Sequence, residues 1–155
     1  MRFKKIVAVA VAVVSMMACV GCGAKEVSFD VKALAADLNS GIEYDDELME
    51  LDADMASNFV DLGAVGMAES VFYEGSGGTA EEIIVVKCNS EEETKKAVEA
   101  FRLRVAEQKE IFKDYAPDEM PKLENAVISS NGLYAVLSVS KDAKKASVII
   151  DGYMK

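Results

Sequence analysis

The residue best placed for covalent chemistry is Cys22. It follows Val20-Gly21, and the chain turns polar directly after it with Gly23-Ala24-Lys25-Glu26. Upstream, Arg2, Lys4 and Lys5 make a basic start, and residues 6–18 are an uncharged run dominated by Ala, Val and Met. That run is too short to span a bilayer, which takes about 20 apolar residues, and it fits a cleavable signal. Small residues before a cysteine are what transfer of diacylglycerol to the thiol requires. The rival thiol is Cys19, after Met16-Met17-Ala18; Cys22 is favoured because Gly23 and a charged tether follow it at once. Residues 1–21 are therefore expected to be a cleaved lipoprotein signal, 22–27 a lipidated tether and 28–155 a single domain. Two acyl chains anchor stably where one is marginal, each buried methylene contributing about 0.8 kcal/mol. The expected location is the outer face of the cytoplasmic membrane.

The remaining candidate chemistry is sparse. The chain has no His, which removes the commonest general base and transition-metal ligand. With Cys22 lipidated and Cys19 cleaved away, Cys88 has no partner for an intramolecular disulfide, so the fold must stand on its core. At the end of the run Ile83-Ile84-Val85-Val86-Lys87-Cys88 it reads as a small buried hydrophobe. The acids Glu43, Asp45, Asp46, Glu47, Glu50, Asp52 and Asp54 offer oxygen ligands to a hard cation but lack the EF-hand spacing, and read as a solvated loop and helix face. The loop Gly75-Ser76-Gly77-Gly78-Thr79 lacks the lysine of a phosphate-binding P-loop and is flanked by Glu74, Glu81 and Glu82. Ser138 and Lys141 match a Ser-x-x-Lys pair formally, but at a strand end rather than a helix start. Gln108 interrupts an apolar helical stripe that ends near Tyr115. A buried amide needs partners, so Gln108 either pins the helix or lines a ligand contact with Tyr115 and Tyr134. Nothing in the sequence calls for a cofactor or a metal.

The elements that must position these groups are legible from periodicity. Val31, Leu34, Ala35 and Leu38 form one stripe of a first helix over 30–40, capped by Ser28 or Asp30 and ended by Gly41. The acidic segment should lead into a short helix near 52–59, with Leu48, Leu51, Met55 and Phe59 facing the core. Residues 70–73 and 82–88 read as paired strands, the second central and covered on both faces. Ser90-x-x-Glu93 is a capping box opening a long helix to about Lys113, with Ala97, Val98, Phe101, Val105 and Phe112 inward. Pro117 and Pro121 bracket a loop. Two strands follow around Asn131-Gly132, a strong hairpin signal. In the second, Leu133, Ala135, Leu137 and Val139 should meet the long helix, leaving the face of Tyr134, Val136, Ser138 and Ser140 partly solvated. A closing helix starts at Asp142. The sum is an α+β fold: an antiparallel sheet of about four strands against one long helix, with short helices at both ends.

The stretch 81–140 carries a resemblance. A strand opens with Glu82-Ile83, and the long helix ends in Gln108-Lys109, Phe112 and Tyr115. A loop holds Pro117 and Pro121, Asn125-Ala126-Val127 follows, and a hairpin ends in Gly132-x-Tyr134. In these features the chain resembles the domain of unknown function 4358 family, small lipoproteins of Firmicutes, mostly clostridial. With the weaker match from Val31 onward, the likeness covers nearly all of the mature chain; the Gly-rich 75–78 loop departs from it. The resemblance implies a surface lipoprotein of a Gram-positive cell and brings no activity, cofactor or catalytic residue.

Charge narrows the partners. The chain has 17 basic and 27 acidic side chains, and loss of Arg2, Lys4 and Lys5 with the signal leaves 14 basic, a formal net charge of −13. That charge argues against nucleic acid as a partner and against adhesion to anionic headgroups. The expected role is a lipid-anchored binding or interaction module of the envelope, meeting a protein or small ligand. The alternative is an envelope hydrolase using carboxylates, which two facing acids in a pocket would favour.

Overall fold

The computed structural model describes residues 26–58 and 60–155; the signal segment, both candidate lipidation cysteines and Phe59 lie outside them. In chain order the elements are α1 (Val31–Gly41), β1 (Met49–Glu50), α2 (Ala53–Ala56), β2 (Met67–Glu74), β3 (Glu82–Cys88) and α3 (Glu91–Tyr115). A 3-10 turn (Pro117–Glu119), α4 (Met120–Glu124), β4 (Val127–Asn131), β5 (Tyr134–Val139) and α5 (Ala143–Tyr153) complete the chain. The strands form one antiparallel sheet in the order β1-β2-β3-β5-β4. The class is the expected α+β; the strand count is five, because β1 adds a two-residue pairing too short to leave a hydrophobic pattern.

Strand β3 lies at the centre, and its alternation divides the core. Ile84, Val86 and Cys88 face α3, with Ala97, Phe101, Val105 and Phe112 against them. Ile83 and Val85 face the other way, onto Val31, Leu34, Ala35 and Leu38 of α1 and Ala146 and Ile150 of α5. The second face of β5 is therefore not solvated. Tyr134, Val136 and Ser138 are all at most 1 % exposed, because α1 and α5 cover that side. Ala135, Leu137 and Val139 do meet α3, but Leu133 packs with the opposite cluster, since it sits in the turn and not on the strand.

Caps explain where the helices begin. Asp30 Oδ1 accepts from Lys32 N–H at 2.8 Å, and Asp142 Oδ1 from Lys145 N–H at 2.9 Å. At α3, Ser90 Oγ accepts from Glu93 N–H at 3.2 Å, which is half of the capping box. The Glu93 carboxylate turns outward instead, accepting from Gly66 N–H at 2.8 Å and pairing with Lys96. The proline-bracketed segment is not an open loop: Pro117 and Pro121 each sit in the first turn of a short helix, where a missing N–H costs nothing. Met55 is 51 % exposed rather than inward, because α2 is a single turn and does not carry the phase from Leu51. In the β4–β5 hairpin Asn131 pairs with Tyr134, so the connection is Gly132-Leu133, with Gly132 at φ +55°. Asn131 is not a left-handed turn residue; its side-chain amide donates to Met154 O at 2.6 Å and ties the hairpin to the end of α5.

Candidate functional site

Helix α3 carries Arg104 and Gln108 one turn apart on its inward face. The guanidinium reaches the sheet: Nε donates to Glu82 Oε2 at 3.1 Å and Nη2 to Glu74 Oε1 at 3.0 Å. Glu74 ends β2 and Glu82 opens β3, and the antiparallel register sets them side by side. With its oxygen toward the guanidinium, the Gln108 amide accepts at 2.7 Å from Nη1 and 2.5 Å from Nη2; the opposite orientation sets donors against donors. Two carboxyls thus share one cation. Burial, then the charge of Glu82, holds the Glu74 carboxyl well above the ordinary carboxylate range, with Arg104 opposing. Burial raises Glu82 too, against the pull of Arg104. Side by side in the register and sharing one guanidinium, the two buried carboxyls favour holding a proton between them over carrying two full charges.

The retained proton has a consequence for stability. The unfolded chain releases it in the ordinary carboxylate range, whereas the folded domain binds it to higher pH. The folded state thus holds more protons in between, and stability falls as pH rises, by up to about 1.4 kcal/mol per pH unit. Melting temperature is expected to decline from about pH 5 to about pH 8. Glu74→Gln, which keeps a donor toward Glu82, is expected to flatten that slope. A variant with the same slope as the unaltered chain places the titrating group elsewhere.

Beside this triad an open cavity of about 400 Å³ lies between α3 and the 74–79 connection. Glu74, Arg104 and Gln108 supply its polar side, and Ile111, Phe112 and Tyr115 its apolar wall. Phe112 and Tyr115 meet edge to face, with centroids 6.0 Å apart. Thr79 also lines it, and its Oγ1 is buried without a protein partner. Two of the three residues singled out in the sequence, Gln108 and Tyr115, therefore share one cavity. Tyr134 does not join them. It lies across the sheet, stacked on Phe29 at 4.0 Å, with its hydroxyl accepting from Phe29 N–H at 3.3 Å. Glu74, Glu82 and Arg104 were missed. A signal for Arg104 exists in the spacing, since it falls between Phe101 and Gln108 on the same face.

The other candidates are occupied structurally. Lys122, a buried residue of α4, pairs with Asp45 at 2.7 Å, Glu119 at 2.9 Å and Glu81 at 3.1 Å. Glu81 Oε2 accepts from the Asp45 and Asp46 N–H groups at 2.8 and 3.1 Å. Burial pulls the Lys122 ammonium down, but hydrogen bonds from it to Asp45, Glu119 and Glu81 overcome this and hold it above its ordinary value. Its contact, and then that of Lys141, lowers Asp45 to about 2. The acidic segment is thus partly clamped to the fold rather than freely solvated. The Gly-rich loop already cradles an anion, the protein's own: Ser76 N–H and Oγ donate to Asp46 Oδ2 at 2.7 and 2.5 Å. A side chain at Gly75 would come within 2.9 Å of that oxygen. Ser138 is buried near Tyr44, while Lys141 turns to Asp45 at 2.8 Å, so the Ser-x-x-Lys pair is not assembled as a nucleophile and base. Cys88 is buried, and that burial pushes its thiol up, which keeps it unreactive.

A family model described as Domain of unknown function (DUF4358) matches residues 41–140. The chain belongs to this family. The DUF4358 match runs through all five strands and α3, and it contains both buried charge clusters and the cavity. Outside it lie α5 and nearly all of α1, the two helices that close the opposite face. No curated protein and no solved structure matches the chain. Among the described residues no helix of this DUF4358 protein is long and apolar enough to cross a membrane.

Proposed function

We propose that this protein is a lipid-anchored binding module of the cell envelope, held outside the cytoplasmic membrane by a diacylated Cys22, with the cavity beside α3 as its contact site. The observation that carries the binding reading is that cavity. Its polar groups are fixed by one another before any ligand arrives, which lowers the cost of binding. The anchoring rests on the first 22 residues, whose basic start, apolar run and small residues before the cysteine suit lipidation better than simple secretion.

The hydrolase alternative is weaker on geometric grounds. Carboxylate-pair hydrolysis takes two accessible groups flanking the scissile bond, about 5–10 Å apart. Here Glu82 is 1 % exposed and paired with Arg104, so of the two only Glu74 lines the cavity. The test of anchoring is labelled palmitate in the native cell. The unaltered chain and Cys19→Ser are expected to take up label, Cys22→Ser to take up none, and globomycin to accumulate the precursor. Processing that ignores globomycin would refute the anchor. For the cavity, crosslinking on intact cells should capture a partner or ligand that Tyr115→Ala loses.

A further inference from the structure

The triad and the cavity do not balance in charge. Glu74 and Glu82 are two carboxyls, and Arg104 is the cation that pairs with both. Arg104 directs its charge into the protein, toward these carboxylates and the Gln108 carbonyl. The charged groups facing Glu74 are Glu82 from β3 and Arg104 from α3. Its neighbour on β1 is Met49, and Glu50 turns instead to the Tyr73 hydroxyl at 3.4 Å. Among the described residues Arg104 is the one cation that lines the cavity, and it is divided between two carboxyls, so Glu74 lacks a full counter-charge of its own there. Phe112 and Tyr115 line the same cavity, and aromatic rings attract cations to their faces. Thr79 lines it too, and its Oγ1, buried and without a protein partner, can accept a hydrogen bond.

We infer that this cavity takes an organic cation, an ammonium carried on an apolar body, with Glu74 as its counter-ion, Thr79 as an acceptor and the Phe112 and Tyr115 side chains as its wall. The inference rests on the cavity being a binding site, as proposed above. On binding, the proton held between Glu74 and Glu82 leaves to solvent, and the site becomes two carboxylates facing two cations, Arg104 and the ligand. An anion meets the opposite situation, since Arg104 is already engaged and the field of an acidic chain repels it. A neutral molecule gains the apolar wall but leaves the charge imbalance to the proton.

The experiment uses the lipidated chain in neutral detergent micelles, titrated with phenethylammonium and, separately, with its neutral isostere phenethyl alcohol. Amide resonances of Thr79, Gln108 and Tyr115 report the cavity. Phenethylammonium is expected to shift them saturably and to bind at least about tenfold more tightly than the alcohol. Since the cation competes with a proton, its affinity should drop by up to about tenfold per pH unit as pH falls below the Glu74 titration. Glu74→Gln should weaken it about tenfold or more, and Tyr115→Ala, at an exposed helix end, by a few-fold. The pH series needs no variant, so the inference is testable even if Glu74→Gln folds poorly. Equal binding of the alcohol, or an affinity indifferent to pH, overturns the cation assignment and leaves a binding site standing. If neither probe shifts a cavity residue, the cavity itself is no ligand site.

Discussion

Replacing Arg104 by Met will cost the domain about 3–5 kcal/mol. The side chain lies between α3 and the sheet, 10 % exposed, and holds Glu82 and Glu74 at 3.1 and 3.0 Å. Methionine fills the space but removes the cation, leaving two adjacent carboxyls out of water. One can stay protonated; the other must either ionise without a partner or take up a second proton. The Gln108 amide loses its donors at the same stroke. Urea unfolding at neutral pH measures the loss, and its pH dependence should become steeper, since both acids then titrate against an uncompensated site. The paired change Arg104→Met with Glu82→Leu is expected to recover most of the stability, because an apolar pair replaces a desolvated ionic one at little net cost. A single substitution costing under about 1 kcal/mol, or a double one no better than the single, would mean that water enters and solvates the triad.

Lys122→Met is expected to cost about 3 kcal/mol and to loosen a specific segment. The ammonium is 7 % exposed and joins α4 to the residue just before β3, since Glu81 is fully buried with its Oε1 at 3.1 Å. Its contact with Asp45 adds less, because that carboxylate is about half exposed and screened by solvent. The other oxygen of Glu81 holds the Asp45 and Asp46 amides, so an unpaired Glu81 that protonates or turns away releases the loop before β1. Hydrogen exchange should therefore accelerate at those two amides while α1 and α3 stay protected. Glu81→Gln added to Lys122→Met should restore part of the loss: the amide carbonyl still accepts from the loop and carries no charge. Uniform acceleration across the domain would show that Lys122 supports global stability alone and does not clamp this loop.

Helices α1, α3 and α5 and the β4–β5 hairpin were legible because their signals are local. A cap, an apolar stripe and a turn residue lie within a few positions of one another, and the chain realises them nearly where the spacing puts them. Strand β1 was not legible, since two exposed residues become a strand only because β2 offers them an edge. Tyr134 was misplaced for a related reason. Alternation along β5 told which residues share its face, but not that α1 and α5 would return from both chain ends to cover it. Gln108 stood out as a polar break in a stripe; Arg104 carried only the weaker signal of sharing that face, because an arginine at the side of a stripe can carry its charge out to water until a carboxylate stands opposite it.

By itself the sequence determined the family, the α+β class, the address carried by residues 1–22 as an expectation, and the exclusion of chemistry that needs histidine. Each follows from residue identity or from order within a short window. Only the tertiary structure decided which carboxylates matter. Among 27 acids, burial singles out Glu81 and Glu82, adjacent in sequence yet committed to different cations on different helices. That choice depends on register across the sheet and on what α3 and α4 bring over it. A charge buried out of water must find its partner in space, and the partners stand 22 and 41 positions away in the chain.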